Sequence, residues 1–230
     1  SILNVNKNTI VIMNTGSPIE MPWIEQCPAV LQVWLPGQEN GNALSNVLFG
    51  NVNPSGKLPV TFPKRIEDNP SFGYYPGEDK VIYNEGIYVG YRHYDTRNVE
   101  PLFPFGHGLS YTEFEYKELD CPKEVQSLDK IELNFSVKNI GEIKGQEVVQ
   151  CYVRDISSSL DRPLKELKAF HKVSLFPGES KTVNLSLDKS SFSFFDDRIN
   201  KWIAEPGNFE ILIGSSSKDI RLKQIINYNN

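Results

Sequence analysis

Cysteine, histidine and methionine are scarce in this chain of 230 residues, with three, three and two copies. Cys27, Cys121 and Cys151 are odd in number and far apart, which suits neither a disulfide framework nor a zinc site; reduced, mostly buried thiols are expected. His93, His107 and His171 are dispersed, with no second ligand at metal spacing, so no metal is expected. There is no run of about 18 apolar residues, and residues 1–10 lack the basic region, apolar stretch and cleavage site of a signal peptide. Membrane insertion is therefore not expected. Basic charge is also short. The 24 Lys and Arg against 29 Asp and Glu leave a net charge of −5, without the cationic cluster that a nucleic-acid surface needs. Residues 50–57 nearly spell a phosphate-binding loop, but carry one residue too many between the glycines and have Leu58 where Ser or Thr should hold magnesium. No Gly-x-Ser-x-Gly elbow occurs, which leaves a serine hydrolase without support.

The length suits two cores of about 100 residues each. Residues 8–13 form a continuous apolar run ended by Asn14-Thr15-Gly16-Ser17-Pro18, the pattern of a strand buried on both faces of a sheet. A second run at 29–34 ends in Leu35-Pro36-Gly37. From Gln38 the period changes: Ala43, Leu44, Val47 and Leu48 share a helical stripe, and Gly50 stands as its C-terminal cap. Strand, strand and helix predict part of a parallel α/β layer, incomplete because few helices are present to cover two sheet faces. Residues 51–76 are dense in Pro, Gly and Asn and read as a long loop with one short strand at 58–62.

From about Tyr116 the period is two. Ile131, Leu133, Phe135 and Val137 alternate with polar residues, as do Val183, Leu185 and Leu187, and further strands fit 148–154, 168–175, 209–213 and 220–226. Some seven short strands separated by turn signals predict an immunoglobulin-like sandwich. Two sequons, at Asn134 and Asn184, lie on the polar faces of these strands and matter only in a secreted protein. Localisation stays open, with the cytoplasm favoured over secretion.

The segment Leu35-Pro36-Gly37-Gln38-Glu39-Asn40-Gly41 and, beyond it, Asn53-Pro54-Ser55-Gly56-Lys57-Leu58-Pro59-Val60-Thr61-Phe62-Pro63 resemble family 3 glycoside hydrolases of the β-glucosidase type. The resemblance continues in order through Tyr83-Asn84-Glu85-Gly86-Ile87-Tyr88-Val89-Gly90-Tyr91-Arg92 and Pro104-Phe105-Gly106-His107-Gly108-Leu109-Ser110-Tyr111, and ends at Glu205-Pro206-Gly207 and Gly214-Ser215. It implies a fold that is α/β plus all-β: residues 1–80 as the end of an α/β sandwich, 81–115 as an interdomain connecting segment, and 116–230 as a fibronectin type III-like domain. The implied parent also has an N-terminal (β/α)8 barrel, expected upstream of this chain and its main partner. Fungal or yeast enzymes look most similar.

Retaining glycosidases need two opposed carboxyl groups about 5–5.5 Å apart. In the family these are an Asp in a Ser-Asp-Trp motif on the barrel and a Glu in a Gly-Glu-Gly or Ser-Glu-Gly context on the α/β sandwich, and neither motif occurs here. The resemblance thus implies a scaffold and active-site wall with no catalytic residue, no cofactor and no activity of its own. The β-glucoside would be met through the full enzyme, and a homo-oligomer stays open. Glu85 is the tempting substitute carboxylate; the favoured reading pairs it with Arg92 in a partly buried ion pair that fastens the connecting segment. Glu39 falls in the first turn of the expected helix, where the macrodipole favours it for capping or loop anchoring. Ten aromatics between Phe72 and Tyr111 are expected mostly to pack between domains, with one or two at most on the rim of a sugar site. The alternatives are a fibronectin-like carbohydrate- or protein-binding module, or a family 3 β-xylosidase or N-acetylglucosaminidase.

Overall fold

A computed structural model describes residues 2–229. After a single turn, α1 (Ile2–Val5), the chain forms two four-residue strands, β1 (Ile10–Met13) and β2 (Ala29–Gln32), which pair in parallel with Ile10 opposite Ala29. Residues 14–28 between them are long enough for the crossover that a parallel pair needs. The run at 8–13 reads as a strand covered on both faces, but only one face is covered. Met13 is 6% exposed and joins Met21 and Phe62 in a small core, whereas Ile10 and Ile12 are 50% and 41% exposed. Helix α2 (Asn40–Leu48) follows, and its stripe of Leu44, Val47 and Leu48 is only half-buried. Gly50 ends it as expected, in the left-handed region at φ 75°, with its N–H donating to the Val47 carbonyl.

Residues 58–62 do not form the expected strand. A single antiparallel bridge joins Phe62 to Phe103, and the Leu58 N–H donates to the His107 carbonyl. Pro59 and Pro63 each remove a ladder donor, which keeps this stretch from extending into a sheet. A short helix, α3 (Tyr91–Thr96), then leads into the β region.

That region holds β3 (Phe114–Asp120), β4 (Glu124–Val125), β5 (Ile131–Asn139), β6 (Gly145–Asp155), β7 (Glu166–Leu175) and β8 (Ser180–Leu187). It continues with α4 (Lys189–Phe192), a ribbon of β9 (Phe194–Asp196) and β10 (Lys201–Ile203), then β11 (Gly207–Gly214) and β12 (Ile220–Tyr228). A five-stranded sheet in the order β4-β12-β11-β6-β7 faces a three-stranded sheet in the order β3-β5-β8. Alternation fixes the register: Ile131, Leu133, Phe135 and Val137 all point inward at 2% exposure or less, meeting Ile211, Ile213 and Val149 of the opposite sheet. Cys151 lies in this core, and burial pushes its thiol up to about 12, so it stays protonated; Cys27 and Cys121 are half-buried and also free.

The segments that carry the resemblance pack on one another. Gly106 donates its N–H to the Leu58 carbonyl, and Lys57 Nζ reaches the Gly108 carbonyl at 3.3 Å and Glu147 Oε1 of β6 at 3.3 Å. The Tyr116 hydroxyl donates to the same Glu147 oxygen at 2.8 Å, so one buried carboxylate ties the loop, β3 and β6 together. A methyl group on Gly108 would run into the Gly56 carbonyl, and backbone cannot move aside as a flexible side chain can. Gly108→Ala is therefore expected to cost about 1–3 kcal/mol, read as a lower urea midpoint at unchanged m. Wild-type stability in that variant would show that this packing is loose.

Candidate functional site

Two clefts adjoin where residues 84–97 meet the β-sandwich, sharing Ile87 and Asp161 in their walls. The larger, of about 910 Å³, is walled by Arg92 of α3, by Asp161 and Arg162 of the β6–β7 loop, by Glu166 and Lys168 of β7, and by Phe195 and Trp202 of the β9–β10 ribbon. The smaller, of about 630 Å³, is walled by Tyr74, Glu85, Tyr88, His93 and Arg97, with Asp161 at the junction. Gly90 opens α3 at φ 54°, a conformation open to glycine, and so directs Arg92 toward β7.

Arg92 pairs with Glu166 and not, as expected, with Glu85. Its Nη2 lies 2.8 Å from Glu166 Oε1, while Arg162 Nη2 and Lys168 Nζ approach Glu166 Oε2 at 3.0 and 3.4 Å. Arg162 also holds Asp155 at 2.9 Å and lies over the Phe194 ring at 4.9 Å. Burial alone would raise the Glu166 pKa, but Lys168, Arg92 and Arg162 outweigh it and hold the carboxyl below its ordinary range. It remains a fully engaged anion, unsuited to deliver a proton or to attack carbon. Glu85 makes no ion pair among the described residues, and its Oε2 is buried with no hydrogen-bond partner. Burial, with Arg97 nearby, lowers the pKa of His93 and favours the neutral imidazole.

Glu39 lies away from both clefts, on the exposed start of α2. The helix begins one residue after it, so Glu39 occupies the cap position rather than the first turn; its side chain caps no backbone N–H and instead accepts from Asn42 Nδ2 at 2.6 Å. Of the three sequence candidates, Glu85 and Arg92 are brought to adjoining clefts and Glu39 is not. Asp161, Arg162, Glu166 and Trp202 escaped sequence reading. The charged loop Asp161-Arg162-Pro163-Leu164-Lys165-Glu166, set between alternating strands, was the available signal. Of the ten aromatics, Tyr91 stacks on Phe105 at 4.9 Å and meets Tyr152 of β6 edge-on at 5.8 Å, whereas Tyr75 and Tyr83 are 71% and 81% exposed.

Residues 1–111 match the glycosyl hydrolase family 3 C-terminal domain, and residues 147–217 match the fibronectin type III-like domain. Thermostable β-glucosidase B of Acetivibrio thermocellus is 52% identical over 231 residues, which cover 100% of this chain and 31% of that protein. β-Glucosidase BoGH3A of Bacteroides ovatus is 45% identical over 227 residues, covering 96% of this chain and 30% of the relative. The crystal structure of β-glucosidase from Kluyveromyces marxianus in complex with glucose superimposes with a TM-score of 0.94 at 41% identity, over 100% of this chain and 28% of that one. The chain spans about a third of the length of the relatives it matches. With two domain matches in the family's order and homologous β-glucosidases aligned along nearly its whole length, the chain belongs to glycoside hydrolase family 3 and corresponds to the C-terminal part of its enzymes.

Proposed function

We propose that this chain works as scaffold and active-site wall of a retaining β-glucosidase that hydrolyses terminal β-D-glucosyl residues, with the nucleophile and the acid/base on other polypeptide of the enzyme. The observation that carries this reading is the uncovered apolar surface of the α/β layer. Ile10 and Ile12 line an open sheet face, and Leu35 in the β2–α2 loop and Phe49 at the C-terminal end of α2 are 79% and 81% exposed. A surface of this kind is a docking face for further protein, and the relatives are about three times as long as this chain. The clefts support the same conclusion from chemistry, because Glu166 is held by three cations and cannot serve as one of the two opposed carboxyl groups.

On this reading residues 1–80 complete an α/β sandwich, 81–115 connect, and 116–230 form the fibronectin-like domain. The start of β3 at Phe114 and the separate match to 147–217 support the last boundary, whereas the match to 1–111 runs through residue 80 without a break. Arg92 is a fastening residue through Glu166, Glu39 holds Asn42 at the start of α2, and neither touches substrate. The pure chain is expected to show no turnover of an aryl β-glucoside, while the full-length enzyme turns it over with net retention. Sustained hydrolysis by the chain, abolished in Glu85→Gln, would overturn the proposal.

A further inference from the structure

Two buried polar atoms in the smaller cleft lack a well-formed hydrogen bond among the described residues. Glu85 Oε2 and the Tyr88 hydroxyl are both buried and make no hydrogen bond of normal geometry, although desolvating such groups without compensation is costly; burial and the neighbouring Asp161 carboxylate keep the Tyr88 phenol protonated, as a donor. Arg97 lies over the Tyr88 ring at 4.7 Å, so its guanidinium lies at the same cleft as both orphans. Among the described residues it forms no ion pair, and its contact is with the face of that ring. Through Ile87 and Asp161 this polar end runs into the larger cleft, where the ribbon carries an aromatic platform. Trp202 is 70% exposed and is braced by Phe195, whose ring meets it at 5.7 Å and 64°. Ribbon residues this exposed add little to the fold, since they bury little area.

An acceptor carboxylate, a phenol and a guanidinium beside an open indole form a mixed surface. A pyranose ring with equatorial hydroxyls matches it: the ring face presents C–H groups that stack on an aromatic, and the edge presents donors and acceptors. The volumes, about 910 and 630 Å³, lie within the roughly 300–1,000 Å³ of small-molecule sites. We infer that the joined clefts form an oligosaccharide-binding site, with Trp202 stacking one sugar ring and Glu85, Tyr88 and Arg97 taking the hydroxyls of the next. The site draws on both the connecting segment and the sandwich, so it exists only when the two are packed together. Arg92 and Arg162 build its floor by fixing Glu166.

The choice of glucose as the repeating unit rests on the function proposed above, whereas the cleft chemistry asks only for a hydroxyl-rich ring. Calorimetric titration of the full chain with cellotriose, and in parallel with xylotriose and chitotriose, tests the site. Saturable heat is expected with cellotriose, weakened roughly tenfold or more in Trp202→Ala and in Glu85→Gln, and largely restored in Trp202→Phe. Near-UV circular dichroism checks that each variant keeps its fold. No saturable heat with any of the three sugars would overturn the site. Binding at wild-type strength in both variants would overturn its placement, and binding of xylotriose or chitotriose without cellotriose would overturn the glucosyl choice. Retaining hydrolysis of an aryl β-glucoside by the full-length enzyme is read separately, so failure of the site and failure of the glucosidase reading give different results.

Discussion

Replacing Asp95 by alanine is expected to destabilise the chain by about 3–5 kcal/mol, the cost of leaving a buried partner charge alone. Asp95 sits on α3 with its side chain 2% exposed, and its Oδ2 meets Lys165 Nζ at 2.5 Å. Lys218 approaches the other oxygen at 3.3 Å, so two lysines of the sandwich converge on one carboxylate of α3. Lys165 is itself buried beside the Tyr152 ring, and burial lowers its pKa while Asp95 opposes that shift. Without Asp95 the ammonium must lose its proton or draw in water, and either route disturbs the packing around Tyr152. For a chain of this size, a loss of 3–5 kcal/mol corresponds to a fall in Tm of about 6–20 °C. The double variant Asp95→Ala, Lys165→Met should recover most of the loss, because the stranded charge is gone and an apolar side chain of similar length fills the space. A loss below about 1 kcal/mol in Asp95→Ala would show that the pair behaves as an exposed one, with water reaching Lys165.

The sandwich could be read from the sequence because a half-buried strand records its own burial. In β5 and β8 every second residue is apolar, and cross-strand pairs such as Phe135 with Val183 and Leu133 with Leu185 leave one register that keeps all of them inside. β3 was harder to see. Its residues Phe114-Glu115-Tyr116-Lys117-Glu118-Leu119-Asp120 bury only Tyr116 fully, and a bulge with Glu118 at φ 62° interrupts the pairing with β5. β4, β9 and β10 are two or three residues long, too short to show any period. α3 gave no signal for a different reason. Six residues cannot sustain a helix through local propensity, and this one is held by tertiary bonds: Tyr91 Oη accepts from the Leu167 N–H at 2.7 Å and Thr96 Oγ1 from the Leu164 N–H at 2.9 Å.

The same dependence on tertiary context governs the site. Sequence proximity favours pairing Glu85 with Arg92, yet Gly90 turns the chain between them and a glutamate 74 positions farther on captures the arginine. No local pattern records a partner brought in by a β-sandwich. The parallel α/β layer shows the reverse case: its apolar run promised burial on both faces, and the sequence carries that requirement although Ile10 and Ile12 remain open in this chain.

The second large effect is expected at the centre of the sandwich. Phe135 is 1% exposed, stacks on Tyr116 with centroids 6.4 Å apart, and lies opposite Val183. Truncation to alanine removes the ring and leaves a cavity between two sheets that cannot close without breaking their register, so Phe135→Ala should cost about 3–5 kcal/mol. Phe170 provides the contrast. It stands on β7 opposite Gln150 at 68% exposure, and Phe170→Ala should stay within about 0.5 kcal/mol of wild type. The two substitutions remove the same atoms, so the difference measures burial alone, and urea unfolding of both variants reads it. Because β3, which packs on Phe135, begins at Phe114 directly after a stretch without regular structure, Phe135→Ala should also hasten proteolytic cleavage in the region around residue 113. Equal losses in the two variants would mean that β7 has slipped by one residue and that its outward face is turned in.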